Sequence, residues 1–181
     1  MNVFILCTGR CGSASFIKAS QHITNFTAQH ESQSSYYGRF SVCYPENNIE
    51  ADNRLSWKLG RLDIEYGSSA FYVHLKRRDI ATAKSFVKRW DFGIMKSYWS
   101  DILLGLDSSN FSDEDKFQVA LDYCDTVNSN IELFLRDKPN SMTISLENIR
   151  KDFKVFWRLI EAEGNIEFAL SEFEHMYNRS N

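Results

Sequence analysis

Residues 1–15 read MNVFILCTGRCGSAS, and this stretch decides the fold. Val3-Phe4-Ile5-Leu6 is a short run of β-branched and aromatic residues, the composition of a strand covered on both faces. The run breaks at Thr8-Gly9-Arg10-Cys11-Gly12-Ser13, with Ala14 next. It then continues as Ser15-Phe16-Ile17-Lys18-Ala19, which suits the opening of a helix. A strand, a glycine-bearing turn and a helix make a place for an anion. The N–H groups of the turn and the helix N-terminus converge there, and the helix dipole favours negative charge. Taken alone, the stretch fits an anion site and an ordinary βα turn equally.

The turn is not that of a nucleoside-triphosphate P-loop. That motif places a lysine after the second glycine and then a hydroxyl for magnesium. Here Ser13 follows Gly12, and the one cation of the turn is Arg10, ahead of that glycine. Such a turn can hold a phosphate-like group without the usual metal position.

A second stretch sharpens the reading. Ala70 to Leu75 (AFYVHL) reads as another buried strand and runs directly into Lys76-Arg77-Arg78-Asp79. A helical pattern follows through Lys84, Ser85, Lys88, Arg89 and Trp90. Arg77 stands where the strand ends, the edge at which open α/β sheets bind ligands. Lys84 and Lys88 read as a solvated helix face, and Asp79 as the cap of the helix.

TGRCGSAS after the first strand, together with LKRRD and the later SF and RW pairs, resembles the sulfotransferases that use 3′-phosphoadenosine-5′-phosphosulfate (PAPS). The resemblance implies a P-loop-like α/β fold, with no metal and with 3′,5′-ADP as the nucleotide product. It implies that Thr8 to Ser15 (Thr8, Gly9, Arg10, Cys11, Gly12, Ser13, Ala14 and Ser15) wrap the 5′-phosphosulfate. Arg10 then neutralises charge on the leaving phosphate, and the Ser13 hydroxyl matches a family position. Arg77 and Ser85, eight residues apart, hold the 3′-phosphate. Ala14 departs from the pattern, because the cytosolic branch has a second hydroxyl there. The family takes the acceptor's proton with a His or Glu, and His30 and Glu31, expected at the end of a strand beside the first, are the candidates here. The acceptor is a hydroxyl or amine on a small molecule, glycan or lipid. The alternatives are a nucleotide-binding module without turnover and, with less support, a P-loop kinase-like phosphotransferase.

Outward from these motifs, 181 residues fit one domain, residues 1–181, large enough for a sheet covered on both faces. Hydrophobic residues make up 43% and charged residues 25%, so the chain is neither disordered nor membrane-like. No apolar run approaches a membrane span, and the first apolar run is too short for a signal peptide, which predicts a cytoplasmic protein. A net charge of −3 argues against a broad nucleic-acid surface. Cys7, Cys11, Cys43 and Cys124 have no metal-ligand spacing and read as free thiols. Cys11 lies inside the turn, where an alkylating reagent is expected to block binding.

Phe26 to Gln29 predicts a second strand, ending at His30-Glu31. Ser32 to Glu50 is polar and aperiodic, the length of a lid or substrate loop. Asp52 to Tyr66 predicts a helix with Leu55, Leu59 and Leu62 on one stripe and Gly67 as its stop. Trp99, Ile102, Leu103 and Leu106 continue a helical pattern. Ser112 caps a long amphipathic helix through Leu135. Ser141 to Ser145 is a further strand, Glu147 lies in the turn after it, and a helix runs on towards a stop at Gly164. His22 and His74 read as packing residues, and His175 lies near the C-terminus. Strands alternating with helices predict a three-layer αβα fold with a parallel central sheet.

Overall fold

The computed structural model describes residues 1–103 and 110–174. Five strands form one all-parallel sheet: β1 (Val3–Leu6), β2 (Thr27–His30), β3 (Asn48–Ala51), β4 (Phe71–Lys76) and β5 (Ser141–Ser145), in the order β2-β3-β1-β4-β5. The central strand is β1, the apolar run of the opening stretch. Its alternate side chains feed two cores. Val3 and Ile5 join Ile49, Val73, Leu75 and Ile144 on one face. Phe4 and Leu6 join Tyr72 on the other. Every residue of β1 is fully buried, as a strand between two helical layers must be.

One layer contains α1 (Ser13–Ser20) and, from the C-terminal region, α6 (Ile149–Leu159) and α7 (Ile166–Ser171). Its packing is aromatic: Phe16 meets Phe153 at 5.2 Å and Phe156 at 5.1 Å between ring centres. The other layer contains α2 (Leu59–Tyr66), α3 (Asp79–Val87), α4 (Gly93–Ser97) and α5 (Asp113–Leu135). Here α5 turns Tyr123, Cys124, Val127 and Ile131 inward. Ser112 caps it through a reciprocal capping box with Asp115, so the acidic first turn does satisfy orphan N–H groups. A single π-helical turn, Tyr98–Ile102, follows α4 where a continuous helical pattern is expected, and Leu106 lies outside the described residues. Among the described residues no helix is long and apolar enough to cross a membrane.

The structure corrects the reading of residues 32–66. Asn48–Ala51 is not the end of a lid loop but a strand, hydrogen-bonded between β1 and β2 and buried throughout. Its sequence, Asn-Ile-Glu-Ala, hides this because two inward positions are polar. The Glu50 carboxylate is satisfied by the backbone N–H of Ser32 at 2.8 Å and the Ser32 hydroxyl at 2.6 Å. The expected helix over Asp52–Tyr66 divides into a 3-10 segment, Asn53–Trp57, and α2, which begins at Leu59. Asp52 caps the start of the short segment, its side chain accepting from the N–H of Arg54, and the break falls at Lys58, whose backbone (φ −123°, ψ 21°) is not helical. Gly67, with φ +48°, does end α2.

Candidate functional site

Connections from β1 and β4 leave on opposite sides of the sheet. After β1 the chain enters α1, and after β4 it enters α3 in the opposite layer. The two strands are neighbours, with Leu6 opposite His74, so their following turns emerge together. Divergent connections of this kind leave a crevice at the carboxyl end of the sheet. It forms a cavity of about 980 Å³, lined by the Gly9–Ser15 turn, the start and inner face of α3, and the residues after β2, β3 and β5.

The turn is held open by its own backbone. Gly9, Arg10 and Gly12 all have positive φ, at 82°, 58° and 93°. Gly12 serves as the N-cap of α1 and lies so close to Leu146 that a Cβ there would stand 2.7 Å from its Cδ1. Arg10 carries a side chain in the left-handed region, a conformation that persists when the surroundings over-determine it. Arg77 supplies one such restraint, donating from Nη1 to the Arg10 carbonyl at 3.2 Å. Arg10 in turn donates from Nε to the Ser85 hydroxyl at 3.0 Å. Three of the residues singled out in the sequence, Arg10, Arg77 and Ser85, therefore form one contiguous cluster. Arg10 is half-buried, and burial together with Arg89 and Arg77 lowers its pKa.

Not every residue of the turn faces the cavity. Thr8 is buried. Its hydroxyl bonds the Gly9 carbonyl at 2.9 Å, and its own carbonyl accepts from Tyr123 at 2.6 Å. Cys11 is fully buried beside Cys7, so the expectation that an alkylating reagent would reach it is corrected: no surface is exposed for attack. The Cys7 thiol and the backbone N–H groups of Gly9, Cys11 and Ser13 hydrogen-bond its sulfur. They pull its pKa below the usual thiol range, against its burial. The contact with Cys11, together with burial, pushes Cys7 up, against the lowering effect of the Gly9 N–H. Part of the donor set of the turn is thus spent on Cys11. The N–H groups of the first α1 turn, Ser13 to Ser15, include donors without intrahelical partners.

His30 and Glu31 separate in the structure. The strand order puts β3 between β1 and β2, so the expectation that they end a strand beside the first is corrected. His30 nevertheless reaches the turn, with its Nε2 3.2 Å from the Ser13 hydroxyl. Glu31, at φ +54°, points to Arg54, with 3.2 Å between Oε2 and Nη2. Both line the cavity. The other histidines have structural contacts: His22 with Glu172 at 2.9 Å, and His74 with Asn128 at 3.0 Å. Burial lowers the His74 pKa, which favours its neutral form. His175 lies outside the described residues.

Asp79 does not cap α3. Its carboxylate accepts from Asn128 at 2.9 Å instead, tying the start of α3 to α5. Lys84 and Lys88 are exposed, as expected of a solvated face, yet that face is a wall of the cavity. Asn53, Arg89, Phe92, Leu146, Ile149 and Phe173 also line it, and sequence reasoning missed them as site residues. Asn53 follows the unrecognised strand β3, so the rule that ligands gather beyond strand ends would have found it. Glu147, in the turn after β5, accepts from the backbone N–H of Arg78 at 3.1 Å and steadies the β4–α3 turn.

The cavity joins a cationic wall to an apolar one. Arg10, Arg77, Lys84, Lys88 and Arg89 make the first, and Leu146, Ile149 and Phe173 contribute to the second. These groups suit a ligand with anionic groups and a flat apolar ring. Comparisons with family models, with curated proteins and with solved structures find no match for this chain. The class that fold and site define is therefore a parallel three-layer α/β protein with an anion-directed crevice at its carboxyl edge.

Proposed function

We propose that this chain is a PAPS-dependent sulfotransferase, acting on a hydroxyl or amine acceptor. The observation that carries the reading is the meeting of Arg10, Arg77 and Ser85 in one hydrogen-bonded cluster at the turn, although 67 and 75 residues separate Arg10 from the other two. Adenosine 3′,5′-bisphosphate presents two anionic groups on one ribose, which also carries the adenine ring. The donor set fits that description. Loop N–H groups and Arg10 suit one anion, Arg77 and Ser85 the other, and Leu146, Ile149 and Phe173 a ring face.

When bound, the sulfated nucleotide supplies an activated sulfuryl group with a phosphate as its leaving group. The contribution of the protein is positioning and electrostatics. Arg10 faces the charge that develops on the leaving oxygen, and its guanidinium stays protonated despite the burial that lowers its pKa. In the tautomer that leaves His30 Nε2 unprotonated, the Ser13 hydroxyl donates to that atom. That nitrogen has one lone pair, so it takes the proton of an acceptor hydroxyl once the Ser13 hydroxyl has turned away from it. Glu31, paired with Arg54, orders the turn that carries His30.

Calorimetric titration with 3′,5′-ADP, against 5′-AMP and MgATP, tests the reading. Hydrogen bonds to charged groups contribute about 1.5–3 kcal/mol. Arg77→Ala is therefore expected to weaken 3′,5′-ADP binding by roughly 10- to 150-fold. Absence of 3′,5′-ADP binding to the wild type refutes the proposal, and magnesium-dependent preference for ATP replaces it with a kinase. The second reading is a bisphosphate-binding module without turnover. The engagement of Glu31 by Arg54 favours it, since one of two candidate bases is occupied. Tight 3′,5′-ADP binding without acceptor-dependent consumption of PAPS selects that reading.

A further inference from the structure

The basic segment 76–89 divides into two sets. Lys76 pairs with Glu132 at 2.7 Å and Arg78 with Glu147 at 3.5 Å, and neither lines the cavity. Arg77, Lys84, Lys88 and Arg89 do line it, and among the described residues no carboxylate lies within 4 Å of any of them. Glu31 is the sole carboxylate among the described lining residues, and it faces Arg54. The cations of this segment that lie off the cavity pair with carboxylates, whereas those that line it meet no acid among the described residues. Like charges held together in a concave site focus its potential and favour anionic ligands.

The nucleotide reading engages only one end of this wall. Arg10, Arg77 and Ser85 form the cluster at the turn. Lys88 and Arg89 follow Ser85 by three and four residues, in the turn that closes α3 after Val87, where the Arg89 N–H donates to the Phe86 carbonyl at 2.8 Å. Both are exposed. Immediately beyond them, Phe92 and Ile94 line the same cavity, and Phe92 is 66% exposed. Arg89 is close enough to Arg10 to lower its pKa, so this end of the wall adjoins the guanidinium assigned to the leaving group. The surplus is one of position: basic groups continue past the phosphate sites to an apolar rim.

Building on the sulfotransferase reading, we propose that the acceptor is itself an anion, a hydroxyl compound that carries a carboxylate or sulfate beside a sugar or aromatic ring. Its acidic group pairs with Lys88 and Arg89, and its ring face packs on Phe92 and Ile94. Charge pairing at the rim selects the acceptor and sets the orientation in which its hydroxyl approaches the turn.

The test uses the full chain saturated with 3′,5′-ADP and titrated with p-nitrophenyl β-D-glucuronide or p-nitrophenyl β-D-glucoside. These probes differ at one sugar carbon, which carries a carboxylate in the first and a hydroxymethyl group in the second. The glucuronide is expected to bind at least tenfold more tightly than the glucoside. In the double variant Lys88→Gln/Arg89→Gln, likewise saturated, the preference is expected to fall below threefold. Equal binding of the two probes by the wild type, or binding of neither, overturns the proposal, as does a preference that survives in the double variant. Failure of the wild type to bind 3′,5′-ADP appears at the saturation step and refutes the nucleotide reading instead.

Discussion

Gly12→Ala separates the cost of a backbone conformation from the cost of a close approach. Gly12 has φ +93°, where an L-residue pays about 1–2 kcal/mol. An added Cβ would also stand 2.7 Å from Leu146 Cδ1, against an optimum of about 3.5–4.0 Å between carbons. Leu146 must then retreat by roughly 1 Å, and because its side chain is half-buried and lines the cavity, the retreat costs about 1 kcal/mol, the low end for overpacking. Together the two terms give about 2–3 kcal/mol of destabilisation. Gly38 is the control, since it also has positive φ, +60°, but nothing lies within 4 Å of its Cβ position. Gly38→Ala carries the backbone term alone. Paired urea and thermal unfolding should place Gly12→Ala about 1 kcal/mol below Gly38→Ala, with about 2–4 °C in Tm for each kcal/mol. A double-mutant cycle of Gly12→Ala with Leu146→Ala should show coupling of similar size, because truncation removes the atom that is struck. Equal stability of the two glycine variants, or additivity in the cycle, refutes the close-packing argument.

Other expectations concern buried ionisable groups and the proposed base. Burial raises the Glu50 pKa, so the native state binds more protons than the unfolded chain between the unfolded and folded pKa values. Stability should therefore fall as pH rises from about 4.5 through the folded pKa. The denaturant midpoint of wild type minus that of Glu50→Gln, followed across this range, should decline, and a flat difference refutes the assignment. Cys43 is exposed while Cys7, Cys11 and Cys124 are buried, so a thiol reagent should titrate one group in the native protein and four in denaturant. Rapid labelling of Cys11 would contradict its burial. His30→Ala should lower the rate of sulfuryl transfer by about 10²–10⁴, the usual contribution of a general base, and full activity in that variant removes His30 from the role.

Much of the architecture was legible in the chain because buried parallel strands announce themselves. Val3–Leu6, Phe71–Leu75 and Ser141–Ser145 were recovered from composition and from the turns that bound them. Asn48–Ala51 was not. Its polar side chains are inward, and Glu50 is satisfied by Ser32, brought over from the end of β2, and by Asn48. A strand of that kind has no hydrophobic pattern to read. The same gap concealed Asn53, which follows it.

By itself the sequence determined the α/β alternation, the glycine turn after the first strand and the basic turn after a later one, since each depends on local composition and backbone freedom. The tertiary structure decided what those turns do together. Strand order made β1 and β4 neighbours, and the register aligned their ends. The divergence of α1 and α3 to opposite faces opened the crevice between them. Pairing also decided which cations serve structure and which face the cavity: Glu132 and Glu147 neutralise Lys76 and Arg78, while Lys84, Lys88 and Arg89 meet no acid among the described residues. Charge is written residue by residue, but whether it is neutralised depends on partners brought from other parts of the chain, and folding alone supplies them.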